Sequence, residues 1–327
     1  MHVVVTGAGG FVGRALVQRL LRDEAALPQP LSRLTAIDQH FGEDPAAFRS
    51  DARVEMLTGD FADPALMKAA TQPAPDVVFH LASVPGSRAE QEPALGLQVN
   101  LLAPITLLNR LAECAKPPRV VFASSVAVYG ALPTEGSVTE AATAHPALSY
   151  GAHKLMTEIL LADFCRRGQL DGVSLRLPGI VARPLSPTGH GSAFMSDLIR
   201  HLMARQPYQC PVSAAAQAWW MSLPCCIDNL LHAATMATAG LPQDRTVQLP
   251  VLTHTVSDLI EAIEAQTGQR ADVTFSPNEG IETLFGRMPQ LVTPHARQLG
   301  FTDDGSLKNL IQRALSLDLA APSSPTH

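Results

Sequence analysis

Seven residues near the amino terminus, Gly7-Ala8-Gly9-Gly10-Phe11-Val12-Gly13, decide how this chain is read. They follow a β-branched run, His2–Thr6 (HVVVT), and lead into Phe11–Arg22, whose apolar residues recur at roughly helical spacing. So much glycine between a strand and a helix marks either a tight connection or a loop whose backbone N–H groups must approach a phosphate. The spacing discriminates between loop types. G-x-G-x-x-G fails, because the third glycine counted from Gly7 would fall at Val12; G-x-x-G-x-x-G fits at Gly7, Gly10 and Gly13. In such loops the first glycine permits the turn, the second lets amides reach a pyrophosphate, and the third packs helix on strand. The helix start then offers partial positive charge and free donors. Gly7, Gly10, Phe11, Val12 and Gly13 are therefore expected dinucleotide contacts, and Gly9 is left without a required role. Taken alone, a purely structural turn explains the loop equally well.

The rest of the chain favours the dinucleotide. Strand-like segments at Leu34–Asp38, Val54–Leu57, Asp76–Leu81, Arg119–Ser124 and Gly172–Leu177 alternate with helical ones. The helices include one from Asp63-Pro64 to Ala70, with Asp63 as N-cap, and two long ones, Pro93–Glu113 and Leu148–Arg167. Continuous apolar strands separated by helices predict an α/β fold, a doubly wound parallel sheet of the Rossmann type. We expect residues 1–178 to form the dinucleotide-binding domain and 179–317 a smaller α/β substrate-binding region, some segments of which return to the sheet. Helices are expected there at Pro224–Ala239 and at Thr255–Thr267, the latter opened by Thr255 and Asp258. Residues 318–327 read as a frayed tail.

Asp38, at the end of the second strand, is placed to accept hydrogen bonds from an adenosine ribose. No Arg or Lys follows in Gln39-His40-Phe41-Gly42, which favours NAD over NADP. Asp60 follows the third strand and is either an adenine contact or a plain turn residue. Tyr150 and Lys154 stand four apart on a helix and share a face. A phenol is a poor base at neutral pH, but a nearby ammonium and an oxidised nicotinamide favour its phenolate. Ser125 ends the fifth strand, where its hydroxyl can hold a substrate hydroxyl. A lone Tyr/Lys pair is most often a surface pair; in sequence order with the glycines, Asp38 and Ser125, that reading loses its force.

Composition removes other classes. The net charge of −6 and 5% aromatic content argue against nucleic acid and against an anionic membrane. Five cysteines without framework spacing read as reduced thiols of a cytoplasmic protein, and adjacent Cys225 and Cys226 as small apolar residues of a buried helix. No signal peptide or membrane span is expected, and no metal site, since the eleven histidines are scattered.

The chain resembles the extended short-chain dehydrogenase/reductase family, with its nucleotide-sugar epimerases and dehydratases. The resemblance runs through Thr6–Gly13, Gly59-Asp60, His80-Leu81-Ala82, Asn100, Ser124-Ser125-Val126-Ala127-Val128-Tyr129-Gly130 and Tyr150-Gly151-Ala152-His153-Lys154. It implies Ser125, Tyr150 and Lys154 as catalytic residues. It also implies that Phe61, Leu81, Ala82, Ser83, Ser124, Pro178 and Ile180 join the cofactor set, with Asn100 supporting the site. A narrower resemblance, to the NAD-dependent D-erythronate dehydrogenases, runs through Asp171–Pro178, Ile180–Pro184, Cys210-Pro211-Val212, Trp220, Asp228–Ala233 and Val247–Pro250. Gly179 departs from the Thr expected in that group, and Trp219 from a polar residue. The R-Y-F-N-type segment of nucleotide-sugar epimerases is replaced here by Arg176-Leu177-Pro178-Gly179.

These resemblances imply oxidation of the 2-hydroxyl of a four-carbon sugar acid to a 2-keto acid, with NAD as acceptor. Tyr150 would take the hydroxyl proton, and Lys154 would bond the nicotinamide ribose and depress the Tyr150 pKa. Arg183 is the candidate for the substrate carboxylate, with Ser83, Ser87 and His190 as hydroxyl contacts; Arg176, inside a strand, is as well suited to a structural ion pair. A nucleotide-sugar epimerase and a non-catalytic NAD sensor are the alternatives, and an intact Ser125/Tyr150/Lys154 set weighs against the sensor. The two long helices look too apolar to face water on their outer sides, which in this family implies a homodimer.

Overall fold

The computed structural model describes residues 1–42, 48, 50–133, 136–185 and 191–316. His190 and the expected tail lie outside these residues. The strands in chain order are β1 (His2–Thr6), β2 (Arg33–Asp38), β3 (Val54–Thr58), β4 (Val77–His80), β5 (Arg119–Ser125), β6 (Ser137–Thr139) and β7 (Asp171–Leu177). They continue with β8 (Gly179–Val181), β9 (Tyr208–Cys210), β10 (Gln217–Ser222), β11 (Thr246–Gln248), β12 (Leu252–Thr255), β13 (Val273–Phe275) and β14 (Gln290–Val292).

Seven of them form one parallel sheet in the order β11-β7-β5-β4-β1-β2-β3. The five residues of β1 are all buried, as a central parallel strand covered on both faces requires. On one face, Leu16, Val17 and Leu20 of helix Phe11–Arg22 pack with Ile227 and Leu230 of helix Leu223–Thr235. On the other, Met67, Leu107 and Leu161 from three further helices close the layer. Each such side chain contributes roughly 1.5–3 kcal/mol by leaving water. The sheet is doubly wound, and its strand order reverses between β1 and β4.

Local chemistry explains most helix boundaries. Asp63 caps Pro64–Ala70 by accepting the Ala65 N–H, with Pro64 at the first helical position. Thr255 and Asp258 form a reciprocal capping box on Val256–Thr267. The segment expected as one helix from Pro93 to Glu113 is three pieces: Pro93–Leu97, a π turn over Gln98–Leu102, and Ala103–Ala112. Pro104 has no N–H to give, so the i to i−4 ladder cannot run unbroken through it. Helix Leu223–Thr235 stops four residues short of the expected Ala239, which falls in a separate 3-10 turn. Cys225 and Cys226 are fully buried in it.

The second lobe is built on the sheet β12-β10-β8, with two strand pairs, β13 with β9 and β14 with β6. Its core joins Leu198, Trp220, Leu259 and Leu310. Because β8 follows β7 after Pro178 alone, the lobe's first strand starts at the carboxyl end of the main sheet. Among the described residues no helix is long and apolar enough to cross a membrane.

Candidate active site

A cleft of about 750 Å³ opens between the carboxyl ends of β1, β4, β5 and β7 and the second lobe. It lies at the reversal of strand order, where an open α/β sheet leaves a crevice between diverging connections. Gly7, Gly10, Phe11, Val12 and Gly13 line its entrance to the main sheet. Gly10 caps helix Phe11–Arg22 without a side-chain hydrogen bond, so the first-turn N–H groups stay free for an anion.

Gly9 has a role that the loop spacing does not assign to it. A Cβ there would stand 2.0 Å from the His40 carbonyl oxygen, and its N–H donates to the Asp38 carboxylate at 2.9 Å. Asp38 also accepts the His40 N–H at 3.1 Å. Only a bare backbone lets the first loop pack against the loop after β2. Arg14 reinforces that contact by donating to Phe41 O at 2.8 Å. The cradle of free amides, bare glycines and a strand-end carboxylate fits NAD.

Deeper in the cleft stand Ser83, Ser124, Ser125, Tyr150 and Lys154. Ser125 ends β5, and its hydroxyl accepts the Ala127 N–H at 3.2 Å. Tyr150 comes from helix Ser149–Arg166, whose first N–H is taken by Glu90 at 2.6 Å. Gly151 allows the approach: a Cβ there would lie 2.3 Å from Ala127 O. The phenol is hydrogen-bonded to Ser83 and Ser125. Burial pushes its pKa above the ordinary value, against those two hydrogen bonds and the charge of Arg183, which pull it down.

Lys154 is 2% exposed and donates to Ala123 O at 2.7 Å. Its ammonium lies 4.8 Å from the Phe122 ring centre and 5.5 Å from that of Tyr150. Burial lowers its pKa to about 7, opposed by Glu158 one turn along the helix. Arg183 is the charge that pulls the Tyr150 pKa down in this structure. Glu158 is engaged elsewhere: it receives Arg176 Nε and Nη2 at 3.0 and 2.8 Å and the Ser124 hydroxyl at 2.5 Å. Arg176 is therefore a structural ion-pair partner.

Arg183 lines the same cleft. Its backbone is clamped: Ser196 Oγ accepts the Arg183 N–H at 2.9 Å, and Arg200 donates to the carbonyls of Arg183 and Ala182 at 2.5 and 2.6 Å. Its guanidinium makes no ion pair with any described carboxylate within 4.0 Å. Burial lowers its pKa, opposed by the charges of Tyr150 and Asp197.

Leu81, Ser87, Pro178 and Ile180 also line the cleft. Ala82, Asp38, Asp60, Phe61 and Asn100 do not. Asp60 caps its own turn by accepting the Ala62 N–H. The Phe61 ring packs 5.2 Å from His80 in the core. Asn100, in the π turn, accepts Val84 N–H at 2.7 Å and donates to Val84 O at 2.9 Å, pinning the loop that carries Ser83. Sequence reasoning did not single out Glu90, Ser196, Arg200 or Met195; none sits in a recognisable pattern, and only packing brings them to the site. Among the described residues no cluster of His, Cys, Asp or Glu is placed to hold a metal ion.

Comparison with known proteins agrees with this geometry. The model of the NAD dependent epimerase/dehydratase family matches residues 3–220. A D-erythronate dehydrogenase of Cupriavidus necator is 37% identical over 320 residues, 95% of this chain and 97% of that protein. A second, of Haemophilus influenzae, is 29% identical over 322 residues, 98% and 100% of the two chains. The crystal structure of a nucleoside-diphosphate-sugar epimerase from Agrobacterium tumefaciens superposes with a TM-score of 0.90 at 33% identity, covering 98% and 94% of the chains. The chain belongs to the NAD-dependent epimerase/dehydratase family and is an NAD-dependent oxidoreductase.

Proposed function

We propose that the protein oxidises the 2-hydroxyl of a four-carbon sugar acid, of the D-erythronate kind, to the 2-keto acid. The observation that carries this reading is the pairing of two features in one cleft. Tyr150 is hydrogen-bonded to Ser83 and Ser125, and the clamped guanidinium of Arg183, without a carboxylate partner among the described residues, is near enough to act on the phenol. The phenolate of Tyr150 is the base such a hydroxyl needs, and a partly buried guanidinium with no carboxylate partner among the described residues matches a substrate carboxylate. The two dehydrogenases of matching length support the substrate class.

NAD, held by the loop of Gly7, Gly10 and Gly13, would supply the acceptor for the C2 hydrogen and its bonding electron pair. The hydroxyl proton passes to the Tyr150 phenolate, and the pair left by the broken O–H bond becomes the second bond of the new C2 carbonyl. Ser125 and Ser83 orient the two oxygens; Arg183 holds the carboxylate in a partly dry site. Lys154, tied to Ala123 O, stands ready for the nicotinamide ribose. Asp38 without a following cation favours NAD over NADP. Residues 1–178 then hold the cofactor and 179–317 shape the substrate pocket, in a cytoplasmic enzyme with reduced cysteines that works as a homodimer.

NADH formation, followed by absorbance with NAD and a panel of four-carbon hydroxy acids, tests the reading. Tyr150→Phe should lower the rate by roughly 10²–10⁴-fold. A mutant that keeps the wild-type rate sinks the mechanism. Turnover of UDP-sugars alone, with no net NADH, puts a nucleotide-sugar epimerase in its place.

A further inference from the structure

The part of the cleft built by β8, β10 and helix Glu279–Phe285 is chemically unlike the part around Tyr150. Met195 and Trp219 line it, 4% and 2% exposed, together with Ile281, Leu284 and Phe285. Met195 fills the space beside Gly179: a Cβ on that glycine would meet Met195 Cε at 2.4 Å and Sδ at 2.5 Å. No side chain on residue 179 can project there, polar or otherwise, while Met195 stays. The Trp219 N–H is already spent on Pro289 O at 2.7 Å. Asn278 Oδ1 caps the helix by accepting the Ile281 N–H at 3.1 Å, which leaves its amide N–H2 as a donor. Among the described residues, Ser192 is the one side-chain hydroxyl left on this stretch.

Among the described residues, a polyhydroxylated carbon chain placed here would meet only the Ser192 hydroxyl and the Asn278 amide, and its remaining hydroxyls would lie against thioether, indole and hydrocarbon. Burying an unpaired hydroxyl is unfavourable, whereas a methyl in the same place gains contacts. We propose that the preferred substrate is a 2-hydroxy acid whose end remote from the carboxylate is apolar. It is a terminally deoxygenated four-carbon acid such as 2,3-dihydroxybutanoate or 2-hydroxybutanoate, turned over ahead of 2,3,4-trihydroxybutanoate, which remains a substrate. This rests on the dehydrogenase reading and narrows its substrate: Arg183 takes the carboxylate, Tyr150 the 2-hydroxyl, Ser192 one further hydroxyl, and the Met195 wall the methyl end.

The test is kcat/KM with NAD for the three acids, matched in C2 configuration. In the wild type a deoxygenated acid should lead the trihydroxy acid by roughly 10- to 100-fold, the discrimination a hydrophobic pocket can make against an added hydroxyl. Met195→Gln, similar in volume but polar, should shrink that ratio at least about tenfold. Met195→Leu should keep the wild-type ratio, and shows that position 195 tolerates substitution. A wild type that oxidises the trihydroxy acid as well or better overturns the inference while leaving the dehydrogenase reading intact. So does a ratio unmoved by Met195→Gln. Absence of NADH with every acid overturns both, and locates the failure in the dehydrogenase reading itself.

Discussion

Thr6 and His80 face each other where the strand order reverses, and a 2.7 Å hydrogen bond joins Thr6 Oγ1 to His80 Nδ1. Thr6 Oγ1 also accepts the Ala82 N–H at 3.2 Å, so one hydroxyl ties the ends of β1 and β4 beneath the cofactor cradle. The ring lies between Phe61 and Phe122, 5.2 and 5.7 Å from their centres. Burial, with the charge of Lys154, lowers its pKa to about 3. The folded protein keeps His80 neutral while the unfolded chain protonates it below about 6.5. Stability from this residue is therefore complete above that value and lost as the pH falls toward 3, at up to about 1.4 kcal/mol per pH unit. Urea unfolding at several acid pH values should show a shallower loss in His80→Phe than in the wild type.

Ser83 and Ser125 both lower the Tyr150 pKa by hydrogen-bonding the phenol. Ser83→Ala and Ser125→Ala each remove one such bond, so the phenolate becomes harder to form. The acid limb of the kcat/KM–pH profile should move to higher pH in both variants. A profile that stays in place would show that another group carries the proton.

Glu158 and Arg176 are 2% and 8% exposed and joined by two hydrogen bonds. Glu158→Gln leaves the guanidinium buried without its counter-charge, which costs about 3–5 kcal/mol in comparable pairs. Denaturant unfolding should show that loss, and Glu158→Gln with Arg176→Met should recover much of it.

Gly9→Ala forces a methyl into the His40 carbonyl and pushes the Asp38 loop outward. Overpacking of this kind costs about 1–3 kcal/mol. Displacing Asp38 should also weaken NAD binding, by about tenfold or more. Thermal shift with and without NAD separates the two effects.

Ile159 is 63% exposed and Met156 44% exposed, three positions apart on helix Ser149–Arg166, while Leu97, just before the π turn, and Leu102, its last residue, are each 42% exposed. The homodimer proposed above would place a second copy of the chain over such a face. Ile159→Asp should weaken self-association by at least about 30-fold, read by sedimentation. A wild type that sediments as a monomer at micromolar concentration contradicts the homodimer.

Much of this was legible in the chain because it is local. The alternation of apolar strands and helices, the caps at Asp63 and Thr255, and the four-residue step from Tyr150 to Lys154 are short-range facts that backbone geometry turns directly into structure. The glycine spacing likewise identified the loop, although it passed over Gly9, whose constraint comes from His40 in the loop after β2. Contacts between distant segments leave no such trace. The clamp of Arg200 on Arg183, the pinning of Val84 by Asn100 and the filling of the space beside Gly179 by Met195 depend on how the second lobe settles on the sheet. The sequence by itself thus determined the doubly wound fold, the cofactor class and the step that sets Tyr150 and Lys154 on one face of a helix. Tertiary structure alone decided which cation acts on Tyr150 and how apolar the pocket is, because burial and long-range packing set both.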